Sequence, residues 1–382
     1  MIFIYGSKLG QFGFKSAHFC VKMPSDSSKS EPKIKAGVLR GQVEELLRHG
    51  GDWGRTAIMR ELPGTVSEAT LKRVLHGMII DGAVESTGQG RATRYRFSAA
   101  HALLAPIDAD AYFRAEIDER HVREHFNFEL LRETLPSMLN RLFTAEELTE
   151  LYRLEDDFRR RYEDRSPEER RRELTRLGID LSWKSSQIEG NTYTLLETER
   201  LLREQQTAEG RTRDEATMLL NHKAALDFLL SEPDYLAELS SSRVEDIHSI
   251  LIRDMGGERN LRTRRVGITG TNYRPPEHDF QIHEAMEATC QLVNTADNPF
   301  AKALLALALI SYIQPFTDGN KRTARLCCNA LLISHHCCPL SFRTVSALDY
   351  KKACLLFYEQ NNLSSLKSIL VEQTRFAVSQ YF

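Results

Sequence analysis

Between Ile313 and Leu326 the chain reads Q-P-F-T-D-G-N-K-R-T-A-R, which gathers one carboxylate, one glycine and three cations into a dozen residues. Apolar residues fill Ala303 to Ile313 before it and Ala324 to Ile333 after it, so the segment reads as a turn between two buried helices. Asn320, Lys321 and Arg322 then open the second helix, where unpaired N–H groups and the positive end of the helix dipole attract an anion. Gly319 permits close approach of the backbone to that anion. Asp318 offers the hard oxygen that Mg²⁺ prefers when it bridges a carboxylate to phosphate. Arg325, one turn beyond Arg322, adds a planar donor fork suited to a terminal phosphate. The chemistry these residues could do is phosphate handling. Gln314 opens the motif, and its amide can orient a hydroxyl but has no basic nitrogen to take the proton.

A second group lies well upstream, in Ser185-Ser186-Gln187-Ile188-Glu189-Gly190-Asn191. Glu189 is a carboxylate able to pair with a guanidinium. Gly190 suits the end of a helix, and Thr194 with Glu197 predicts a capping box on the next one.

The elements that must hold these groups are mainly helical. From Phe113 to Phe382 nearly every segment is amphipathic at helical spacing, and the interleaved Glu and Arg of Arg159 to Arg176 read as a solvated face. The interruption is Val266 to Pro276, V-G-I-T-G-T-N-Y-R-P-P, where β-branched residues around Gly267 and Gly270 predict a short hairpin. The helical body spans 112–382, with residues near 182–190 carrying the second group.

The front of the chain differs in charge. Residues 1–100 carry a net +6 and the remainder −8. Residues 1–35 are polar and read as a mobile tail, and 36–98 as three helices followed by a two-stranded wing. The third helix is predicted from a Thr65/Glu68 capping box to Asp81, with Leu71, Val74, Leu75, Met78 and Ile79 on one face and Lys72, Arg73 and His76 on the other. This module resembles a winged helix-turn-helix, which implies DNA contacts from Lys72 and Arg73 in the groove and from Arg91 and Arg94 on phosphates; three helices with a hairpin are also a common protein-docking shape, so that role stays open. Residues 99–111 read as a connector.

P-F-T-D-G-N-K-R-T-A-R closely resembles the signature H-x-F-x-[D/E]-G-N-[G/K]-R-x-x-R of the Fic (filamentation induced by cAMP) family, and Ser185 to Gly190 matches its inhibitory pattern [S/T]-x-x-x-E-[G/N]. The resemblance covers roughly Leu174 to Val371. It implies an all-helical Fic core with one β-hairpin flap, and AMP transfer from ATP to a protein hydroxyl. Asp318 would hold Mg²⁺, Gly319, Asn320, Lys321 and Arg322 would cradle the phosphates, and Arg325 would take the γ-phosphate. Phe316 would anchor the loop. The flap, with Val266, Gly267, Ile268, Thr269 and Tyr273, would pin a target protein segment by main-chain pairing. Ser185, Glu189 and Gly190 would form a brake in which Glu189 occupies Arg325. Gln314 stands where the family carries its catalytic histidine, so the resemblance implies either a weakened adenylyltransferase or a catalytically silent nucleotide-binding domain coupled to the DNA-binding module. Lys321 replaces a glycine of many AMP-transferring members and also occurs in a kinase-like branch, which leaves open whether AMP or phosphate is transferred. Many members form homodimers.

No apolar run is long enough to cross a membrane and no cleavable leader pattern opens the chain, so a cytoplasmic location is expected. Six of the seven cysteines, Cys290, Cys327, Cys328, Cys337, Cys338 and Cys354, fall in the last quarter and read as reduced thiols. Their vicinal pairing is not the spacing of ordinary zinc sites. His278 and His283 follow the predicted hairpin and are the histidines with reach toward the turn.

Overall fold

A computed structural model describes residues 36–48 and 50–382; the tail assigned to 1–35 lies outside the described residues. In the front module, α1 (Ala36–Arg48), α2 (Arg55–Glu61) and α3 (Glu68–Ile80) surround a small core of Leu39, Val43, Ile58, Leu71, Leu75 and Met78. The helix expected from Thr65 starts later, because Ser67 is the N-cap, its hydroxyl accepting from Thr70 N at 3.1 Å. Strands β1 (Val84–Thr87) and β2 (Arg94–Phe97) pair antiparallel, with Val84 opposite Phe97. Trp53 adds an antiparallel bridge to Tyr95, its N–H donating to Tyr95 O at 2.9 Å and its carbonyl accepting from Tyr95 N at 2.8 Å. That third strand position was missed in the sequence, since a single paired residue leaves no alternation to read.

The segment expected to be a bare connector is structured. It contains α4 (Ala99–Leu104) and α5 (Ala109–Tyr112). Leu103 is buried in the core of the body, and Asn362 Nδ2 donates to the carbonyls of Ala102 and Ala105 at 2.6 and 2.7 Å. Backbone polar groups that would otherwise need water are thus satisfied by the body itself.

The body contains α6 (Leu135–Met138), α7 (Ala145–Glu163), α8 (Pro167–Ile188), α9 (Leu195–Glu204), α10 (Arg213–Ser231) and α11 (Ser241–Leu251). Then follow α12 (Asp279–Thr295), α13 (Pro299–Ile313), α14 (Asn320–Ser334), α15 (Ala347–Gln360) and α16 (Ser364–Tyr381). Full capping boxes start α7 to α10, at Thr144/Glu147, Ser166/Glu169, Thr194/Glu197 and Thr212/Glu215, so these starts are set locally. At the centre, α13 is buried all round and packs on α14, with α8, α10 and α11 against α14 and α12 and α15 against α13. The six described cysteines named above are buried and unbridged.

The protein is mainly α as expected, and the paired strands among the described residues are those of the front module. Val266–Tyr273 does not pair with itself as a hairpin; it is irregular chain with a turn in which Gly270 has φ +89°. Three hydrogen bonds tie this segment and the adjoining Arg274 to residues 118–125 instead. Arg120 Nη2 donates to Gly270 O at 2.7 Å, Asn272 Nδ2 to Asp118 Oδ1 at 3.0 Å and Arg274 N to Glu124 O at 2.7 Å. Arg120 also reaches Glu359 of α15 at 3.3 Å, so this strap ties the segment to the body.

Candidate functional site

The turn between α13 and α14 reverses the chain through two left-handed residues, Gln314 at φ +51° and Gly319 at φ +78°. The glycine does this without strain, whereas the glutamine is held in place. Its amide donates from Nε2 to Ser311 O at 2.6 Å and its Oε1 accepts from Asn320 Nδ2 at 3.0 Å. Arg262, nearly fully buried, donates from Nε to Gln314 O at 2.6 Å and from Nη2 to Pro276 O at 2.8 Å, stapling the turn to the segment before α12. Asn320 fixes the turn from within: Phe316 N donates to its Oδ1 and its Nδ2 donates to Phe316 O, both at 2.8 Å. The Asn320 side chain is therefore used within the turn, which leaves its backbone N–H, the group expected to meet a phosphate, for an anion. Phe316 is buried and stacked on His248 with ring centroids 3.6 Å apart, and the His248 Nε2–H donates to Asp318 O at 2.9 Å. Neither Arg262 nor His248 was singled out in the sequence, since both act across long separations on backbone carbonyls.

A cavity of about 430 Å³ opens over this turn. Gln314, Thr317, Asp318, Gly319, Asn320 and Lys321 form its floor, Gly267, Ile268 and Thr269 one wall, Lys351, Cys354, Leu355 and Tyr358 of α15 another, and Glu189 the end of α8. The α15 contribution was not foreseen. Val266 and Tyr273 do not line it; Tyr273 is buried, stacked on Tyr312 and donating its hydroxyl to Tyr312 O at 2.9 Å, so it anchors the wall. Among the described residues no histidine lines the cavity, and His278 and His283 lie elsewhere on the surface. His222 is fully buried, and burial with the nearby Arg325 and Arg322 pushes it down to about 3, so it is neutral.

The charged groups are organised around Glu189. Its Oε1 accepts from Arg325 Nη2 at 2.9 Å and its Oε2 from Lys321 Nζ at 2.8 Å. Arg325 is fully buried, and also donates from Nε to Ser185 Oγ at 2.9 Å and from Nη2 to Ser185 O at 2.8 Å. Gly190, at φ +102°, turns the chain away directly after the carboxylate. The cavity therefore meets Glu189, while Arg325 is not among its lining residues. Arg322 donates to Asp318 Oδ2 at 2.9 Å, and Arg322 Nε and Nη1 and Arg325 Nη1 are buried without a protein partner. The Asp318 carboxylate is largely exposed at the cavity floor. Among the described residues no group of three or more His, Cys, Asp or Glu converges, so a divalent ion here would need oxygens from a ligand beside Asp318.

Burial alone would raise the Glu189 carboxyl, but the charges and hydrogen bonds of Arg325 and Lys321 outweigh it and hold the group at about 2. A depressed folded value stabilises the fold above the unfolded value near 4.5 and loses that contribution as pH falls toward 2. Glu189→Gln is accordingly expected to lower the melting temperature by a constant amount above about pH 5, with the gap to the native chain shrinking below about pH 4. Paired thermal melts across that range check it; a gap that opens only at acid pH would contradict the lock.

Residues 238–332 match the model of the Fic/DOC family. The chain is 30% identical over 175 residues to the protein adenylyltransferase Fic of Nematostella vectensis, a match covering 44% of this chain and 40% of that protein. The corresponding protein of Drosophila ananassae is 27% identical over 151 residues, 38% of this chain and 30% of its own length. The chain thus spans well under half the length of these relatives. Among solved structures, Fic-1 (residues 134–508) of C. elegans shares the fold with a TM-score of 0.52 at 20% identity, over 65% of this chain and 73% of that one. A Fic family protein of Desulfovibrio desulfuricans aligns with a TM-score of 0.51 at 19% identity, over 62% and 74%. The turn, the helices that frame it and the sequence match agree: this chain carries a Fic/DOC family domain at residues 238–332.

Proposed function

We propose that this protein is a self-inhibited Fic-type enzyme that binds ATP over the α13–α14 turn and transfers AMP to a protein hydroxyl slowly. The observation that carries the reading is the Glu189 carboxylate, which lines the cavity while bonded to both Arg325 and Lys321. Phosphates would sit at the start of α14 on the backbone N–H groups of 319–322, with the Arg322 and Arg325 guanidiniums supplying further donors. Asp318 fits Mg²⁺ bound jointly by one carboxylate and substrate phosphates; when bound, the ion would neutralise charge on the departing pyrophosphate. In the reaction the hydroxyl oxygen bonds to the α-phosphorus, the bond to the β-phosphate breaks, pyrophosphate leaves and the hydroxyl proton must be taken up. The Gln314 amide cannot take it, so it passes to solvent. The wall of Gly267 to Thr269 is where a target segment would lie against the cavity, the strap from 118–125 holding the chain beyond it.

The brake works by occupation. While Glu189 holds Arg325, a γ-phosphate meets a carboxylate instead of a donor fork, and the like charges repel. Lys321 belongs to the same lock, which gives it two opposite effects. Lys321→Ala in the native chain is expected to raise ATP affinity about twofold to fivefold, the scale of a partly exposed ion pair of roughly 0.5–1 kcal/mol. In a Glu189→Gly background the same change is expected to lower affinity, because the ammonium is then free to meet phosphate. Calorimetric titration of the four proteins with MgATP reads the sign; a decrease in both backgrounds would remove Lys321 from the brake.

The hydrogen bonds of Gln314 favour a second reading, in which the domain binds nucleotide and reports its occupancy without chemistry. Both amide ends are used in the turn. Labelled ATP separates the readings in the Glu189→Gly protein. Label from α-labelled ATP supports AMP transfer, label from γ-labelled ATP alone supports phosphate transfer, and binding without label supports the silent domain.

A further inference from the structure

We infer that Arg120 is a positioning residue for the cavity: its guanidinium pins the wall of 267–269 to the α15 wall and so sets how far apart the two stand. This role rests on the cavity being the nucleotide site proposed above. Arg120 Nη2 donates to Gly270 O at 2.7 Å, directly after the wall residues Gly267, Ile268 and Thr269. The same nitrogen lies 3.3 Å from Glu359 Oε1 of α15. Glu359 follows Tyr358 and stands one turn beyond Leu355, both of which line the opposite side. The walls come together at this point, since Gly270 has φ +89° and a Cβ there would stand 3.7 Å from Leu355 Cδ1.

The guanidinium is itself held firmly. It lies over the Phe113 ring, 4.9 Å from the centroid, and its side chain is 7% exposed beside a Glu359 carboxylate that is fully buried and needs a counter-charge. Glu359 is fixed as well, its Oε2 accepting from the Tyr112 hydroxyl at 2.7 Å and its carbonyl from Arg123 N at 2.9 Å. Burial and the neighbouring Glu359 push the Tyr112 hydroxyl up, so it stays a donor. Lys352 pairs with Asp110 at 2.5 Å and Gln360 Nε2 donates to His121 O, so residues 110–123 follow α15 on residues next to those that line the cavity. Asp118 Oδ1 and Glu124 O take the Asn272 amide and the Arg274 N–H on the other side. A buried ion pair contributes little net stability, and what this one secures is a fixed spacing between two walls that are bonded to one strap.

Cys354 is a built-in reporter of the gap, because it lines the cavity yet is 1% exposed. The full chain is treated with iodoacetamide without nucleotide, and the rate at each cysteine is read by peptide mass spectrometry. Arg120→Lys keeps a charge beside Glu359 but loses the fork. It should speed modification of Cys354 by about threefold to tenfold, the scale of one hydrogen bond, while Cys327 and Cys328, buried in α14, react at the native rate. Asn272→Ala, which unties the segment without touching a buried charge, should move Cys354 in the same direction. In a Glu189→Gly background Arg120→Lys should lower MgATP affinity, read by calorimetry, by a similar factor. A Cys354 rate unchanged in both variants overturns the role. So does a rise shared by Cys327 and Cys328, which would make Arg120 a support of the whole fold, or a faster Cys354 with unchanged MgATP affinity. If the Glu189→Gly chain itself binds no MgATP, the nucleotide reading fails, and the cysteine rates alone decide whether Arg120 sets the gap.

Discussion

Gln314→His in a Glu189→Gly background should raise transfer from α-labelled ATP by roughly 10²- to 10⁴-fold over Glu189→Gly alone, the range that a positioned general base contributes. Position 314 is part of the cavity floor, next to the start of α14, so an imidazole there would have reach to a hydroxyl bound in the cavity. The native amide cannot accept the proton, and in its bonds to Ser311 O and Asn320 it is a structural member of the turn. Imidazole keeps one donor and one acceptor and can replace those bonds only in part, so the comparison includes ATP affinity for both proteins. Equal label with equal ATP affinity would show that proton removal does not limit transfer and that another group does that work.

Glu189→Gly is the second large effect, and its signature is a pair of opposite changes. ATP affinity should rise by about 10- to 100-fold, since one hydrogen bond to a charged group is worth roughly 1.5–3 kcal/mol and Arg325 regains its fork. The melting temperature without nucleotide should fall, because a buried guanidinium loses its counter-charge while Ser185 alone continues to hold it. Calorimetry with MgATP and a thermal melt read the two changes. Lower stability with unchanged affinity would mean that the Glu189–Arg325 pair only supports the fold, and the brake would be discarded.

The reach of the sequence is clearest where chemistry is local. The start of α14 could be placed because Gly319 has the left-handed conformation that glycine tolerates and the next residues open a helix. Thr194 and Glu197 cap α9 as expected, for they need only each other and two backbone N–H groups. The flap shows the limit: alternating β-branched residues and glycines in 266–273 suggested a hairpin, but pairing also depends on what lies alongside, and the strap from 118–125 takes the hydrogen bonds. The connector was misjudged for the same reason, its carbonyls being satisfied by Asn362 some 260 residues away.

From its residues alone, this protein has an anion-attracting helix start and an amide with no basic nitrogen; the pairing of Glu189 with Arg325 is what the Fic resemblance implied. The first two follow from side-chain type and short-range geometry, which a linear order preserves. Only the tertiary structure decided that Glu189 is shared between Arg325 and Lys321, that the Asn320 side chain bonds within the turn that floors the cavity, and that α15 closes the site with Lys351, Cys354 and Tyr358. Those outcomes depend on distances between residues far apart in the chain, and such distances are set by the packing of buried helices, not by the spacing of letters.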